Sequence, residues 1–335
     1  MKPVFMIGTQ RSGSNLLRLM LNQLNDIASP HPPHILERMN PLMGLYGSFD
    51  NDENFHKLVD DVCRLVELNP VEWSEMNFDR KEIYLRSKSR SLLGVYAAIH
   101  DIYAESQGAK TWCCKSLANI QYIKDIEDHF DNPKYIYLYR DGRDVALSFQ
   151  KAVVGEKHIY NIANDWAETQ AMALSFKDFI DEKRFYCVSY EQLTQQPEQT
   201  AHALCEFLGT EYVPEMLDFH KSSEAKNAAS SSELWGNVTN PIIQNNSKKF
   251  LNEMSQSDIK IFESVAGDIL DALGYERTNV PSGEEIVFSD AEIESFDALN
   301  KRKKLENLLK VDVEDKQRRA RQSKLLDEIK SRFVA

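Results

Sequence analysis

Near its amino terminus the chain alternates abruptly between apolar and polar residues. Val4 to Ile7 is continuously apolar and stops at Gly8, Thr9 to Ser14 is polar, and Leu16, Leu17, Met20 and Leu21 then recur at helical spacing. This predicts a strand, a glycine-bearing loop and a helix. The same order returns in KYIYLYRDGRDVALSF at 134–149. There Tyr135 to Tyr139 is a buried-strand pattern, Asp141-Gly142 marks a turn, and Arg143-Asp144 opens a helix carrying Val145, Ala146 and Phe149. A further strand end is expected in CVSYEQL at 187–193. After it, PEQTAHALCEFLG at 197–209 reads as a helix with Ala201, Leu204, Phe207 and Leu208 inward and Gly209 at its end. Lys115, in TWCCKSLANI, follows a short strand-like run and precedes another helix.

Two regions have a purely helical rhythm. Within 40–109, FHKLVDDVCRLVEL (55–68) turns Phe55, Leu58, Val59, Val62, Leu65 and Val66 to one side. SLLGVYAAIHDIYAESQG (91–108) is a second helix ended by Gly108, and Trp73, Phe78 and Tyr84 lie in the stretch between them. The C-terminal region has no glycine or proline after Gly283. KRKKLENLL (301–309) and RRARQSKLLDEIKSRF (318–333) place Leu305, Leu308 and Leu309, then Leu325, Leu326 and Ile329, at helical spacing. One or two amphipathic helices are expected there, packed on their own core. A homodimer contact or an acidic carrier protein are the other uses open to them.

Charge sharpens this division. The chain of 335 residues carries a net charge of −12, yet residues 296–335 hold twelve Lys and Arg against seven Asp and Glu, leaving −17 on the remainder. Such a balance argues against nucleic acid as a substrate. With 42% apolar residues, the length suits one large α/β domain with insertions or an appendage. No charged-then-apolar leader is visible and no run approaches the ~20 apolar residues of a membrane span, so a cytoplasmic protein without a membrane span is expected. The five scattered cysteines (Cys63, Cys113, Cys114, Cys187 and Cys205) read as reduced thiols. No spacing of His, Cys and carboxylates suggests a metal site.

The chemistry concentrates in the first loop. A helix's first-turn N–H groups have no partner within the helix and point into the loop that precedes it, which makes an anion site. Gly8 and Gly13 allow close backbone approach, Arg11 adds a guanidinium fork, and Ser12 and Ser14 are placed to cap the helix or donate to the same anion. The spacing of Gly8 and Gly13 is that of a P-loop, but Ser14 stands where that loop's lysine should be. An ATP- or GTP-hydrolysing reading is thereby weakened.

RSGSNLL at 11–17 resembles instead the 5′-phosphosulfate loop of the sulfotransferases, and KYIYLYRDGRDVALSF resembles their 3′-phosphate segment, R-[DN]-P-[RK]-D-V-x-x-S. Gly142 replaces the usual proline, which is expected to loosen the turn without moving its ends. The resemblance extends over roughly 3–277 and is closest to the bacterial branch. It implies a three-layer α/β fold with a central parallel sheet of P-loop-like type, and 3′-phosphoadenosine 5′-phosphosulfate (PAPS) as co-substrate without a metal. It implies that Arg11, Ser12, Gly13, Ser14 and Asn15 bind the 5′ side and Arg140 and Ser148 the 3′-phosphate. Tyr190, from CVSYEQL, would lie near the adenine. Lys248 and Lys249, in NPIIQNNSKKF, would return to the nucleotide. Lys115 matches the family's K-[ST]-P lysine and would join Arg11 on the leaving phosphate.

The family often places its base in the segment equivalent to IASPHPPHILERM (27–39). Here His31, His34 and Glu37 are all in reach, and one register of the motif selects His34, another His31. Neutral imidazole takes a hydroxyl proton near working pH, whereas Glu37 would need a raised pKa. The expected organisation is a sulfotransferase domain over 1–280, with 40–109 as a helical insertion on the acceptor side, and a charged helical extension over 281–335. The acceptor is a hydroxyl on a small molecule, lipid, sugar or carrier-bound acyl chain. A P-loop nucleotide kinase and a non-catalytic nucleotide-binding scaffold are the alternatives.

Overall fold

The computed structural model describes residues 1–73, 76–231, 233–309 and 313–332. Five strands form one parallel sheet: β1 (Val4–Gly8), β2 (Ile27–Ala28), β3 (Thr111–Cys114), β4 (Lys134–Tyr139) and β5 (Phe185–Ser189), in the order β2-β3-β1-β4-β5. The near-continuous apolar runs arise because both faces of the sheet are covered. Successive side chains alternate between the two faces. Phe5, Ile7, Tyr135, Tyr137 and Trp112 enter one core with the helices of 35–129, while Val4, Met6, Ile136, Leu138 and Cys113 enter another with helices Ser14–Leu21 and Pro197–Leu208. The result is the expected three-layer α/β fold.

Strand β1 lies between β3 and β4, so the chain leaves it toward one edge of the sheet and later returns to the other. This is the topological switch point, where open α/β sheets hold their ligands at the strands' carboxyl ends. Gly8, the last residue of β1, has φ 132°, and a Cβ there would fall 2.1 Å from the Leu138 carbonyl oxygen. Only glycine closes the two central strands at this point.

The turn after β4 is not loose. Asp141 caps helix Gly142–Lys151 by accepting from the Arg143 N–H at 3.0 Å. The buried Arg143 guanidinium donates to Asp141 and, at 2.6 Å, to Glu263 on helix Gln256–Ala272. Trp166 and Phe262 press on Gly142, where an added Cβ would approach to 2.7 and 2.4 Å. The expected loosening is therefore absent, because aromatic rings fill the space a proline ring would need.

Region 40–109 contributes helices Asp52–Glu67, Arg80–Arg86 and Leu92–Ser106, whose apolar faces join the main core. The C-terminal region forms Asp290–Leu309 and Val313–Arg332. The first begins well before the 301–309 pattern, and the end of the second pattern, Phe333, lies outside the described residues. Leu325 and Ile329 are buried against the main core, and Arg332 pairs with Asp61 at 2.6 Å. Leu305, Leu308 and Leu309 do not face inward as expected. Helix Asp290–Leu309 turns Asn300 and Lys304 to the body instead, and the leucines remain exposed. Among the described residues no helix is long and apolar enough to cross a membrane, and all five cysteines are free.

Restoring the proline of the motif is expected to harm this chain. Gly142→Pro should lower stability by about 1–3 kcal/mol, the usual cost of overpacking a filled site, and thermal unfolding of the variant checks it.

Candidate active site

The loop from Thr9 to Gly13 joins β1 to helix Ser14–Leu21 in an unusual backbone path: Arg11 has φ 70° and Gly13, the N-cap, φ 89°. No side chain caps this helix, so neither Ser12 nor Ser14 caps it as first considered. Ser12 is fully buried, and its Oγ has no hydrogen-bond partner among the described residues. The first-turn N–H groups thus open into the loop without a protein acceptor supplied by a cap. A Cβ on Gly13 would meet the Tyr190 ring at 2.5 Å, so the missing side chain lets Tyr190 lie directly on the loop.

Two guanidinium groups converge there. Arg11 Nε donates to Ser148 Oγ at 2.8 Å, joining the expected 5′ and 3′ subsites directly. Arg140 stacks over the Tyr190 ring, 4.2 Å from its centroid, and donates to the carbonyls of Arg11 and Asn246. Its Nε is buried without a partner among the described residues. Burial and the nearby Arg140 charge pull the Arg11 pKa down. Asp144 offers Arg140 only a loose contact, at 3.6 Å, while accepting from the Phe250 N–H. Asn246 also donates to the Tyr190 hydroxyl at 2.7 Å, so the 240–249 loop does return across this side. Lys248, at φ 57°, and Lys249 lie on that loop with exposed side chains.

On the other side of the loop, Lys115 at the end of β3 donates to Asn15 Oδ1 at 2.8 Å. It is buried, and burial, then Arg18 and Arg11, lower its pKa to about 7. Beside it Ser116 Oγ stands 3.2 Å from His34 Nδ1, and Glu37 Oε2 stands 3.3 Å from the same nitrogen. A carboxylate only accepts, so the Glu37 contact favours the neutral tautomer with the proton on Nδ1 and the lone pair on Nε2. Burial lowers the His34 pKa against the raising effect of Glu37. Glu37 is itself exposed, and its partnership with His34 lowers its pKa, which makes it a poor base.

His31 is buried and its carbonyl is clamped by Trp73 Nε1 at 2.7 Å and Asn69 Nδ2 at 3.1 Å, both from the 40–109 region. Burial, then Lys115 and Arg18, hold its pKa well below the ordinary histidine value. His31 is thus part of the wall, and His34 is the imidazole nearer the surface.

The structure therefore gathers Arg11, Ser12, Gly13, Ser14, Asn15, Lys115, Arg140, Ser148 and Tyr190 around one loop, with His34 and Glu37 adjoining through Ser116. Sequence reasoning missed Arg18, Asn246, Asn69 and Trp73 as site-forming residues. Arg18 is fully buried and donates to the Ser29 carbonyl at 2.8 Å and to Glu224. A signal for it existed: with Ser14, Leu17 and Leu21 it occupies the inward i, i+3, i+4, i+7 stripe, an unusual place for a charge. The others come from distant loops, for which no pattern was available.

Comparison with known proteins identifies the family. A model described as Sulfotransferase family matches residues 3–214. An uncharacterized protein of Aquifex aeolicus (strain VF5) is 22% identical over 236 residues, covering 68% of this chain but only 28% of that protein. A "Putative protein-tyrosine sulfotransferase" of Caenorhabditis briggsae is 24% identical over 213 residues, 60% of this chain and 74% of the nematode protein. Among solved structures, the sulfotransferase domain from the curacin biosynthetic pathway aligns with a TM-score of 0.59 at 24% identity, covering 82% of this chain and 98% of that domain. The sulfotransferase domain of the Synechococcus PCC 7002 olefin synthase aligns with a TM-score of 0.51 at 21% identity, over 78% and 94% of the two chains. These two show a shared fold. The family match, spanning well over half of the chain and containing both the loop after β1 and β4 with its following helix, places this protein in the sulfotransferase family.

Proposed function

We propose that this sulfotransferase takes its sulfuryl group from PAPS and delivers it to an acceptor hydroxyl, with His34 as general base. The observation that carries the donor reading is the group of cations Arg11, Lys115 and Arg140 at an uncapped helix N-terminus, in a chain of net charge −12. Buried like charges of this kind are stable when an anion sits among them. The residues fit a bisphosphorylated adenosine: Ser12 Oγ and Arg140 Nε are buried donors still in need of acceptors, and the Tyr190 ring on Gly13 offers an aromatic face. In this reading Arg140 and Ser148 take the 3′-phosphate, and Arg11, the first-turn N–H groups and Lys115 take the 5′-phosphate. Lys248 and Lys249 approach from the 240–249 loop.

The transfer is an in-line displacement. A bond forms between the acceptor oxygen and sulfur while the bond from sulfur to the bridging phosphate oxygen breaks. Arg11 and Lys115 neutralise charge on the departing 3′-phosphoadenosine 5′-phosphate. His34 Nε2 receives the hydroxyl proton, and Glu37 on Nδ1 orients the ring and steadies the imidazolium that forms. The 40–109 insertion walls the acceptor side through Trp73, Asn69 and the His31 carbonyl they hold.

Calorimetric titration tests the donor. 3′-Phosphoadenosine 5′-phosphate should bind without a metal and far better than 5′-AMP, and Arg140→Ala should weaken it by roughly ten- to a hundredfold, the scale of about 1.5–3 kcal/mol for a hydrogen bond to a charged group. Preference for magnesium-ATP would sink the reading and favour a kinase.

Affinity should also depend on pH in a set direction. The bound anion favours protonated Lys115, whose pKa without ligand is about 7. Below that value the proton is already present. Above it binding must draw one from solution, so affinity should fall by up to about tenfold per pH unit between about 7 and the raised pKa of the complex. Lys115→Met should bind more weakly at pH 6 and lose this decline; an unchanged pH profile in that variant would refute the assignment.

A further inference from the structure

The C-terminal helices reach both walls of the site through two buried amides. Asn300 Oδ1 accepts from the N–H groups of Lys157, at 2.7 Å, and His158, at 3.0 Å, in the segment that follows the helix bearing Ser148. Gln322, 1% exposed, lies against the opposite wall. Its Oε1 accepts from Arg38 Nη1 at 2.8 Å, and its Nε2 donates to the Leu65 carbonyl at 2.7 Å. Both ends of the amide are thus satisfied, which fixes its orientation and the place of the guanidinium it holds.

Arg38 lies on helix Ile35–Met39, directly after Glu37 and one turn after His34. It is one of the charges that His34 senses, along with Glu37 on the same helix and Lys115 from the end of β3, and His31 on the preceding loop lies close enough to sense His34 in turn. A buried polar side chain in this position is expensive to keep unless something depends on it. A leucine at 322 would serve simple packing beside Leu325 and Ile329, yet the chain places there an amide, which accepts from Arg38 and donates to a carbonyl at once.

We propose that Gln322 is a positioning residue for the His34 base, holding the Arg38 guanidinium beside the Glu37–His34 pair, so that the C-terminal extension is a working part of the catalytic wall. This rests on the reading of His34 as the base. With Arg38 held in place, its charge opposes protonation of His34 and competes for Glu37. Loss of the Gln322 contact weakens that opposition and favours the Glu37–His34 pair.

The test uses the full chain with ¹³C-labelled histidine, following the His34 imidazole by ¹H–¹³C correlation NMR from pH 4 to 8, with His34→Gln for assignment. Gln322→Met and Gln322→Leu each remove both hydrogen bonds without adding a charge. In each the His34 titration midpoint should move upward. Leu325→Ala, which loosens the same helix without touching Arg38, should lower the thermal midpoint and leave the His34 titration in place. The proposal is overturned if His34 titrates at the wild-type midpoint in the Gln322 variants, or if Leu325→Ala moves it equally. Should Gln322→Met fail to fold, Gln322→Leu decides alone. Loss of wild-type binding to 3′-phosphoadenosine 5′-phosphate would sink the donor reading, and full transfer by His34→Gln would sink the base reading; neither result alters the NMR outcome.

Discussion

The organising constraint of this protein is the crowding of positive charge around the end of β1. Arg11, Arg18, Lys115 and Arg140 surround one loop, and the carboxylates that touch them, Asp144 and Glu224, stand on the outer sides of Arg140 and Arg18. Among the described residues no carboxylate is paired with Lys115, whose amine meets the Asn15 side chain instead. Taking like charges out of water raises the energy of the folded state, and the shifts at Arg11 and Lys115 register that cost in the protonation equilibria themselves.

Backbone geometry carries a second part of the same burden. Among the described residues four that are not glycine have positive φ: Arg11, His34, Asn132 and Lys248. Three of these were candidate site residues from the sequence, and left-handed conformations of this kind cost on the order of 1–3 kcal/mol each. They persist because their surroundings are over-determined. The Arg11 carbonyl accepts from Arg140, the segment before His34 is stiffened by Pro32 and Pro33 and clamped at the His31 carbonyl, and the residues flanking Lys248 are tied down through Asn246 and the Phe250 N–H. The Arg143–Asp141–Glu263 network then fixes the turn after β4, from which Arg140 projects.

The parts legible in the sequence were those in which one short segment carries both the structural signal and the chemistry. VFMIG followed by TQRSGS states a strand and an anion loop together, and KYIYLYRDGRD does the same for β4. The base was less legible because three titratable groups share seven residues, and their differences in burial and partners come from elsewhere. Trp73 and Asn69 bury His31, and Ser116 and Glu37 engage His34, contacts that no local pattern encodes. Gly142 misled for a similar reason: a glycine in place of proline suggests slack, but Trp166 and Phe262, distant in sequence, had taken the space. The exposed Leu305, Leu308 and Leu309 show the limit of periodicity, since helix Asp290–Leu309 docks through asparagine and lysine.

The two halves of the proposed chemistry place opposite demands on one buried environment. His34 must be neutral to accept a proton, and Lys115 must be charged to receive the leaving phosphate. In water these groups titrate roughly four units apart, so both conditions hold over a wide pH range. Burial lowers both pKa values, His34 against the raising effect of Glu37 and Lys115 to about 7. In the proposed complex the phosphate raises Lys115 through direct contact, while His34 is held down by burial and by Lys115 and Arg38. On this proposal the donor's own charge sets the Lys115 protonation that its reaction requires. This electrostatic dependence favours donor binding ahead of proton removal from the acceptor, and it links the strain at Arg11 and the crowding of cations to catalysis itself.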